Sequence, residues 1–97
     1  MAKYYLTNKA VEDLAEIWNY TFEEWSENQA DKYYRLLLDS CQEIANNSNL
    51  GKKYDIIKDQ LLGYKSNEHI LFYRIISDNE VEIIRILHGR MDLKSKF

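Results

Sequence analysis

The residues best suited to chemistry lie together in the last third of the chain: His69, Arg74, Arg85, His88 and Arg90. Histidine titrates near neutrality and serves as acid, base or metal ligand. Arginine clamps phosphate or carboxylate through paired donors. General acid–base chemistry by His88 is one possibility. A metal site would need more. His69 and His88 are expected to face each other across a strand pair, but no third ligand of matching kind lies nearby, and Cys41 falls in a helix. Neither a metal nor another cofactor is expected. A structural histidine at a strand end is the simpler reading of His88. The glycines Gly51, Gly63 and Gly89 are too scattered to cradle phosphates, and no nucleophile motif occurs. The carboxylates of the first helix fall mostly off its apolar stripe, as a solvated face would.

Two β-rich runs, His69 to Ser77 and Glu80 to His88, must position those side chains. Asp78-Asn79 between them suits a two-residue hairpin turn, since both residues tolerate positive φ. That turn pairs Ile76 with Val81, Arg74 with Ile83 and Phe72 with Arg85, unless a bulge shifts the register. Alternation places Ile70, Phe72, Arg74, Ile76, Val81, Ile83, Arg85 and Leu87 on one face. His69, Leu71, Tyr73, Ile75, Glu82, Ile84, Ile86 and His88 take the other. The face with two arginines is expected to point outward, because an unpaired buried arginine is costly. Its aliphatic remainder then meets a partner, or residues 49–59 and the C-terminal tail fold across it. Arg74 and Arg85 either reach a target or are satisfied internally by Glu80, Glu82 or Asp92.

The rest of the chain supplies the frame. Tyr4-Tyr5-Leu6 reads as a short strand and Thr7-Asn8 as a helix cap. Val11, Leu14, Ala15, Trp18, Phe22 and Trp25 recur at helical spacing, and acidic residues are expected to favour that helix's first turn. Trp18 is expected in the core, where truncation to Ala would cost about 3–5 kcal/mol. Ser26-Glu27-Asn28-Gln29 resembles a capping box. A second helix follows on Ala30, Tyr33, Leu37, Cys41 and Ile44, ended by Asn46-Asn47-Ser48-Asn49. Gln60 to Ser66 reads as a further strand interrupted by Gly63. The expected fold is α+β in the order β-α-α-β-β-β, a helical hairpin packed on an antiparallel sheet.

Length and composition agree with one folded unit over residues 1–97: 45% of residues are hydrophobic, 30% charged, and proline is absent. A single cysteine excludes an internal disulfide and fits a reducing, cytoplasmic setting. No signal peptide and no membrane span is expected. The net charge of −3 argues against a protein that simply coats nucleic acid. That charge is uneven: residues 1–50 carry four Lys/Arg against nine Asp/Glu, and residues 51–97 carry nine against seven.

Several segments then combine, in order and over nearly the whole chain. They are Tyr5-Leu6-Thr7 with Ala10 and Asp13-Leu14, Ile17-Trp18-Asn19-Tyr20-Thr21 with Trp25, and Gln29-Ala30 with Tyr33. Gly63-Tyr64-Lys65-Ser66, His69-Ile70-Leu71-Phe72-Tyr73-Arg74 and Ile84 to Asp92 complete the set. This pattern resembles the ParE branch of the RelE/ParE toxin superfamily. The resemblance implies the toxin of a type II toxin–antitoxin system that poisons DNA gyrase and is not itself an enzyme. It implies a hetero-oligomeric complex with a ParD-like antitoxin, a ribbon-helix-helix protein whose disordered C-terminal segment wraps the toxin. Tyr64, Lys65, Phe72, Arg74, Ile83, Arg85, Arg90 and Met91 are the candidates for target or antitoxin contact. RelE-like relatives instead cut messenger RNA on the ribosome, and that alternative would use Arg85, His88 and Arg90. The acidic overall charge and the lack of a C-terminal Tyr favour the gyrase branch. Two departures stand out: Lys65 lies where the family commonly has Arg, and the family's frequent proline before the middle strands is missing.

Overall fold

The computed structural model describes residues 1–97. Strand β1 (Lys3–Leu6) leads into helices α1 (Asn8–Glu24) and α2 (Glu27–Asn46). Strands β2 (Lys52–Lys53), β3 (Leu62–Ser66), β4 (His69–Ser77) and β5 (Glu80–His88) follow, and a 3-10 turn (Leu93–Lys96) closes the chain. The five-stranded sheet has the order β1-β5-β4-β3-β2. It is mixed, not antiparallel throughout, because β1 runs parallel to β5. The helical hairpin makes this possible by carrying the chain across one face of the sheet before the remaining strands pair in sequence. Strand β2, which lies in a stretch with no β signature of its own, pairs with only Gly63 and Leu62. No helix is long and apolar enough to cross a membrane.

Both expected caps form. Thr7 accepts the Ala10 N–H and Ser26 accepts the Gln29 N–H, each relieving one of the unpaired donors of a helix's first turn. The first turn of α1 holds no acidic residue, contrary to expectation. On α2, Ala30, Leu37, Cys41 and Ile44 are buried as their spacing requires. On α1, Ala10 and Leu14 are buried, but the stripe then runs off the sheet: Phe22 is 47% exposed and Trp25 75%. Trp18 is half-buried, stacked on Phe22 at 5.3 Å with its indole N–H donating to Asp31 (3.0 Å), and it is no part of the main core. The expected core truncation at Trp18 is corrected accordingly.

The β4–β5 hairpin keeps the expected register at its open end, where Phe72 pairs with Arg85 and His69 with His88, and at the turn, where Ser77 pairs with Glu80. Past a bulge at Ile84, Tyr73 pairs with Ile83, Arg74 with Glu82 and Ile75 with Val81. The expected Ile76–Val81 and Arg74–Ile83 pairs are therefore absent. One inserted residue flips the faces that follow it, until Ile76 of β4, left without a partner, restores the register at the turn. Val81 and Ile83 consequently join Leu71, Tyr73 and Ile86 beneath the helices, in a core shared with Leu14, Leu37, Cys41 and Ile44. Ile70, Phe72 and Leu87 remain on the opposite face, where Leu61, Tyr54, Ile57 and Leu93 cover them. Phe97 adds an edge-on contact to Phe72 at 5.2 Å. Of the two expected covers for that face, the chain's own loop and tail supply this one.

Candidate functional site

The two arginines of the hairpin have separate fates. Arg74 is exposed and pairs with Glu82, its cross-strand neighbour, at 2.7 Å. Arg85 keeps its expected place opposite Phe72, and its side chain reaches Asp13 of α1. Its Nε and Nη2 both donate to that carboxylate at 2.8 Å, and its Nη1 donates to the Lys96 carbonyl at 3.1 Å. Asp13 accepts a third bond, from the Ile86 backbone N–H (3.0 Å). Strand β1 pairs with β5 only as far as Ile83, so the edge beyond it has no strand beside it. Thr7 bonds the Ile83 and Ile84 carbonyls, and Asp13 takes the Ile86 N–H, in place of that strand. Asp13 is 6% exposed, and its hydrogen bond raises the Arg85 pKa above the ordinary arginine value. Arg85 thus ties helix, sheet and C-terminal turn together. None of the partners anticipated for it from sequence (Glu80, Glu82, Asp92) is used.

The histidines do meet. Their rings lie edge to face at 5.3 Å, as the register required. His69 Nδ1 shares a 2.6 Å hydrogen bond with the Tyr33 hydroxyl. Burial, and secondarily the nearby His88, lower the His69 pKa to about 4, so the ring is neutral at pH 7. His88 Nδ1 accepts the Arg90 backbone N–H (3.1 Å), shaping the turn after β5, and its Nε2 lies 3.8 Å from Glu68.

Two clefts flank this turn, and Glu68, His88 and Arg90 line both. The first, between the helices and the end of β5, is lined by Ile17, Tyr20, Trp25, Tyr33, His69, Arg85 and Met91 and encloses about 740 Å³. Tyr20, Trp25 and Met91 are 65%, 75% and 44% exposed, so it is an apolar groove open to solvent. The second lies on the other side, between Lys52, Tyr54, Tyr64 and Lys65.

The contact candidates therefore disperse. Tyr64, Lys65 and Arg90 share the second cleft, while Met91, Arg90 and part of Arg85 share the first. Arg74 stands apart, in a third cleft beside Ile84 and Lys58. Phe72 and Ile83 are fully buried, and neither presents a surface to a partner. Sequence reasoning missed Asp13, Tyr20, Lys52 and Tyr54. Only Asp13 had a signal: with Ala10 and Ile17 it occupies positions three and four apart, so a carboxylate sat on the apolar stripe awaiting a buried partner.

Comparison with known proteins bears directly on this architecture. Residues 4–93 match the family model described as ParE toxin of type II toxin-antitoxin system, parDE. A protein named Toxin ParE1 from Mycobacterium tuberculosis is 33% identical over 92 residues, covering 95% of this chain and 94% of the relative. Toxin ParE1 of Caulobacter vibrioides is 33% identical over 95 residues, covering 98% and 97%. A solved chain from the chromosomal ParDE toxin–antitoxin system of P. aeruginosa superposes with a TM-score of 0.77 over 91% of this chain and 96% of its own. At 18% identity it establishes the shared α+β fold. A match over almost the whole length, relatives at one-third identity end to end, and the same two helices on the same sheet lead to one conclusion: this chain belongs to the ParE toxin family of type II toxin–antitoxin systems.

Proposed function

We propose that the chain poisons DNA gyrase in the cytoplasm without itself being an enzyme, and that a ParD-like antitoxin neutralises it by direct binding. The observation that carries this choice over RNA cleavage is the commitment of Arg85. A nuclease built on Arg85, His88 and Arg90 needs three polar groups facing one scissile phosphate. Here Arg85 spends both faces of its fork on Asp13 and the Lys96 carbonyl, and His88 Nδ1 is occupied by the Arg90 N–H. What remains at the surface suits contact. Ile17, Tyr20, Trp25 and Met91 line an open apolar groove, the kind of surface that an amphipathic segment of an antitoxin covers.

A supercoiling assay with purified gyrase tests the target. The expected outcome is loss of supercoiling with gyrase-dependent DNA cleavage. No effect at a large molar excess of toxin would refute it. Primer extension on translated messages tests the other branch, and new 5′ ends there would identify an endoribonuclease. Co-expression with the ribbon-helix-helix protein of the adjoining reading frame should yield a stable hetero-oligomer and restore gyrase activity.

A further inference from the structure

The second cleft holds charge that neither the fold nor the proposed function uses. Lys52 comes from β2, Lys65 from β3 and Arg90 from the turn after β5, and all three are exposed. The Lys and Arg side chains that form ion pairs are Lys9 with Glu12, Arg74 with Glu82 and Arg85 with Asp13, so none of these three cations has a carboxylate within 4 Å. Glu68 is the one acidic residue lining the cleft, which leaves it a net +2 in a chain of net −3, with −5 over the remainder. Such segregation directs an anion to one place and repels it from the rest.

The cleft also has the size and lining for more than a lone anion. It encloses about 740 Å³, within the range of about 300–1,000 Å³ typical of small-ligand sites. Tyr54 and Tyr64, both half-buried, contribute aromatic surface, and the Lys52 ammonium sits 5.6 Å from the Tyr54 ring centre. Beyond Gly63 the outer edge of β3 has no strand beside it, so a ligand can approach the backbone there. Three unpaired cations on three separate elements match a chain that carries one charge per unit, and tyrosines among them match its bases. An acidic peptide offers the charges without a use for the rings.

We propose that this cleft binds a single-stranded nucleic acid, with Lys52, Lys65 and Arg90 meeting its phosphates and Tyr54 and Tyr64 meeting its bases. The site does not depend on gyrase being the target. It refines the expectation drawn from net charge: the chain does not coat nucleic acid, yet one face of it is built to hold a strand.

Fluorescence anisotropy of the full-length chain with labelled 12-nucleotide DNA and RNA strands tests the proposal. Three phosphate contacts give a slope of log affinity against log salt of about −2, so affinity should fall roughly 15- to 20-fold between about 50 and about 200 mM salt. Lys65→Glu/Arg90→Glu should weaken binding at least tenfold at the lower salt. Lys9→Glu/Lys32→Glu makes the same change in charge on the helices and should weaken it no more than about threefold. Circular dichroism melts confirm that both variants fold. Tyr54 packs against Phe72, so the aromatic part is read by comparing a normal strand with an abasic strand of equal charge, which should bind several-fold more weakly. Absence of binding, equal losses from the two double variants, or equal affinity for the abasic strand would overturn the proposal. So would polyglutamate of equal charge competing as well as the strand, or tighter binding of the corresponding duplex.

Discussion

Replacing Asp13 by Ala removes one side of a buried ion pair, and the structure permits its cost to be worked out. Arg85 loses two charge-assisted bonds at 2.8 Å, and the Ile86 N–H loses its acceptor at the unpaired edge of β5. Breaking a buried pair from one side costs about 3–5 kcal/mol. The Arg85 side chain is 18% exposed and keeps its bond to the Lys96 carbonyl, which places the charge part at the low end of that range. The orphaned N–H adds about 1–3 kcal/mol. A total of about 4–6 kcal/mol follows, a large part of the stability of a domain this small. At roughly 4–8 °C per kcal/mol, the melting temperature should fall by at least about 15 °C. Urea denaturation of the parent, Asp13→Ala, Arg85→Leu and the double variant provides the measurement. The double variant should recover about 1–3 kcal/mol relative to the sum of the singles, because the uncompensated charge is gone. A loss below about 1 kcal/mol for Asp13→Ala, or no coupling in the cycle, would refute the structural role of Arg85. It would return that side chain to the list of target contacts.

Leu14→Ala should cost about 3–4 kcal/mol in urea unfolding, whereas Trp18→Ala should cost only about 1–2, because Leu14 is 2% exposed and Trp18 is half-buried on an exposed Phe22. Tyr73→Phe keeps the ring but strips the bond donated to the Ser48 carbonyl (2.7 Å) and the one accepted from the Gly51 N–H (2.9 Å). It should cost about 1–3 kcal/mol and increase hydrogen exchange at Gly51. His69 should titrate near pH 4 by NMR, below its ordinary 6.5. Between those values the native state then holds fewer protons than the unfolded chain, so the stability contributed by neutral His69 is complete above pH 6.5 and declines as pH falls toward 4. An imidazole titrating at 6.5 or above would overturn this, as would a His69→Gln variant whose stability declines just as steeply over that interval.

Much of this protein is determined locally. Helical spacing of Ala30, Leu37, Cys41 and Ile44 needs only the 3.6-residue period and one apolar surface to pack on, and the caps at Thr7 and Ser26 need only their own first turns. The hairpin from His69 to His88 and the pairing of its two histidines followed from alternation and a turn, and the ParE pattern was legible because its segments keep their order along the chain. Tertiary structure decided everything that depended on a neighbour distant in sequence. The bulge at Ile84 changed the face of Val81 and Ile83, and no two-residue period announces an inserted residue. Asp13 and Arg85 stand 72 positions apart, so the bond that took Arg85 from candidate contact to structural clasp exists only once α1 lies along β5. Lys52, Lys65 and Arg90 are likewise scattered through a chain of net negative charge. Their gathering around one cleft is a consequence of strand order, which local physics does not encode.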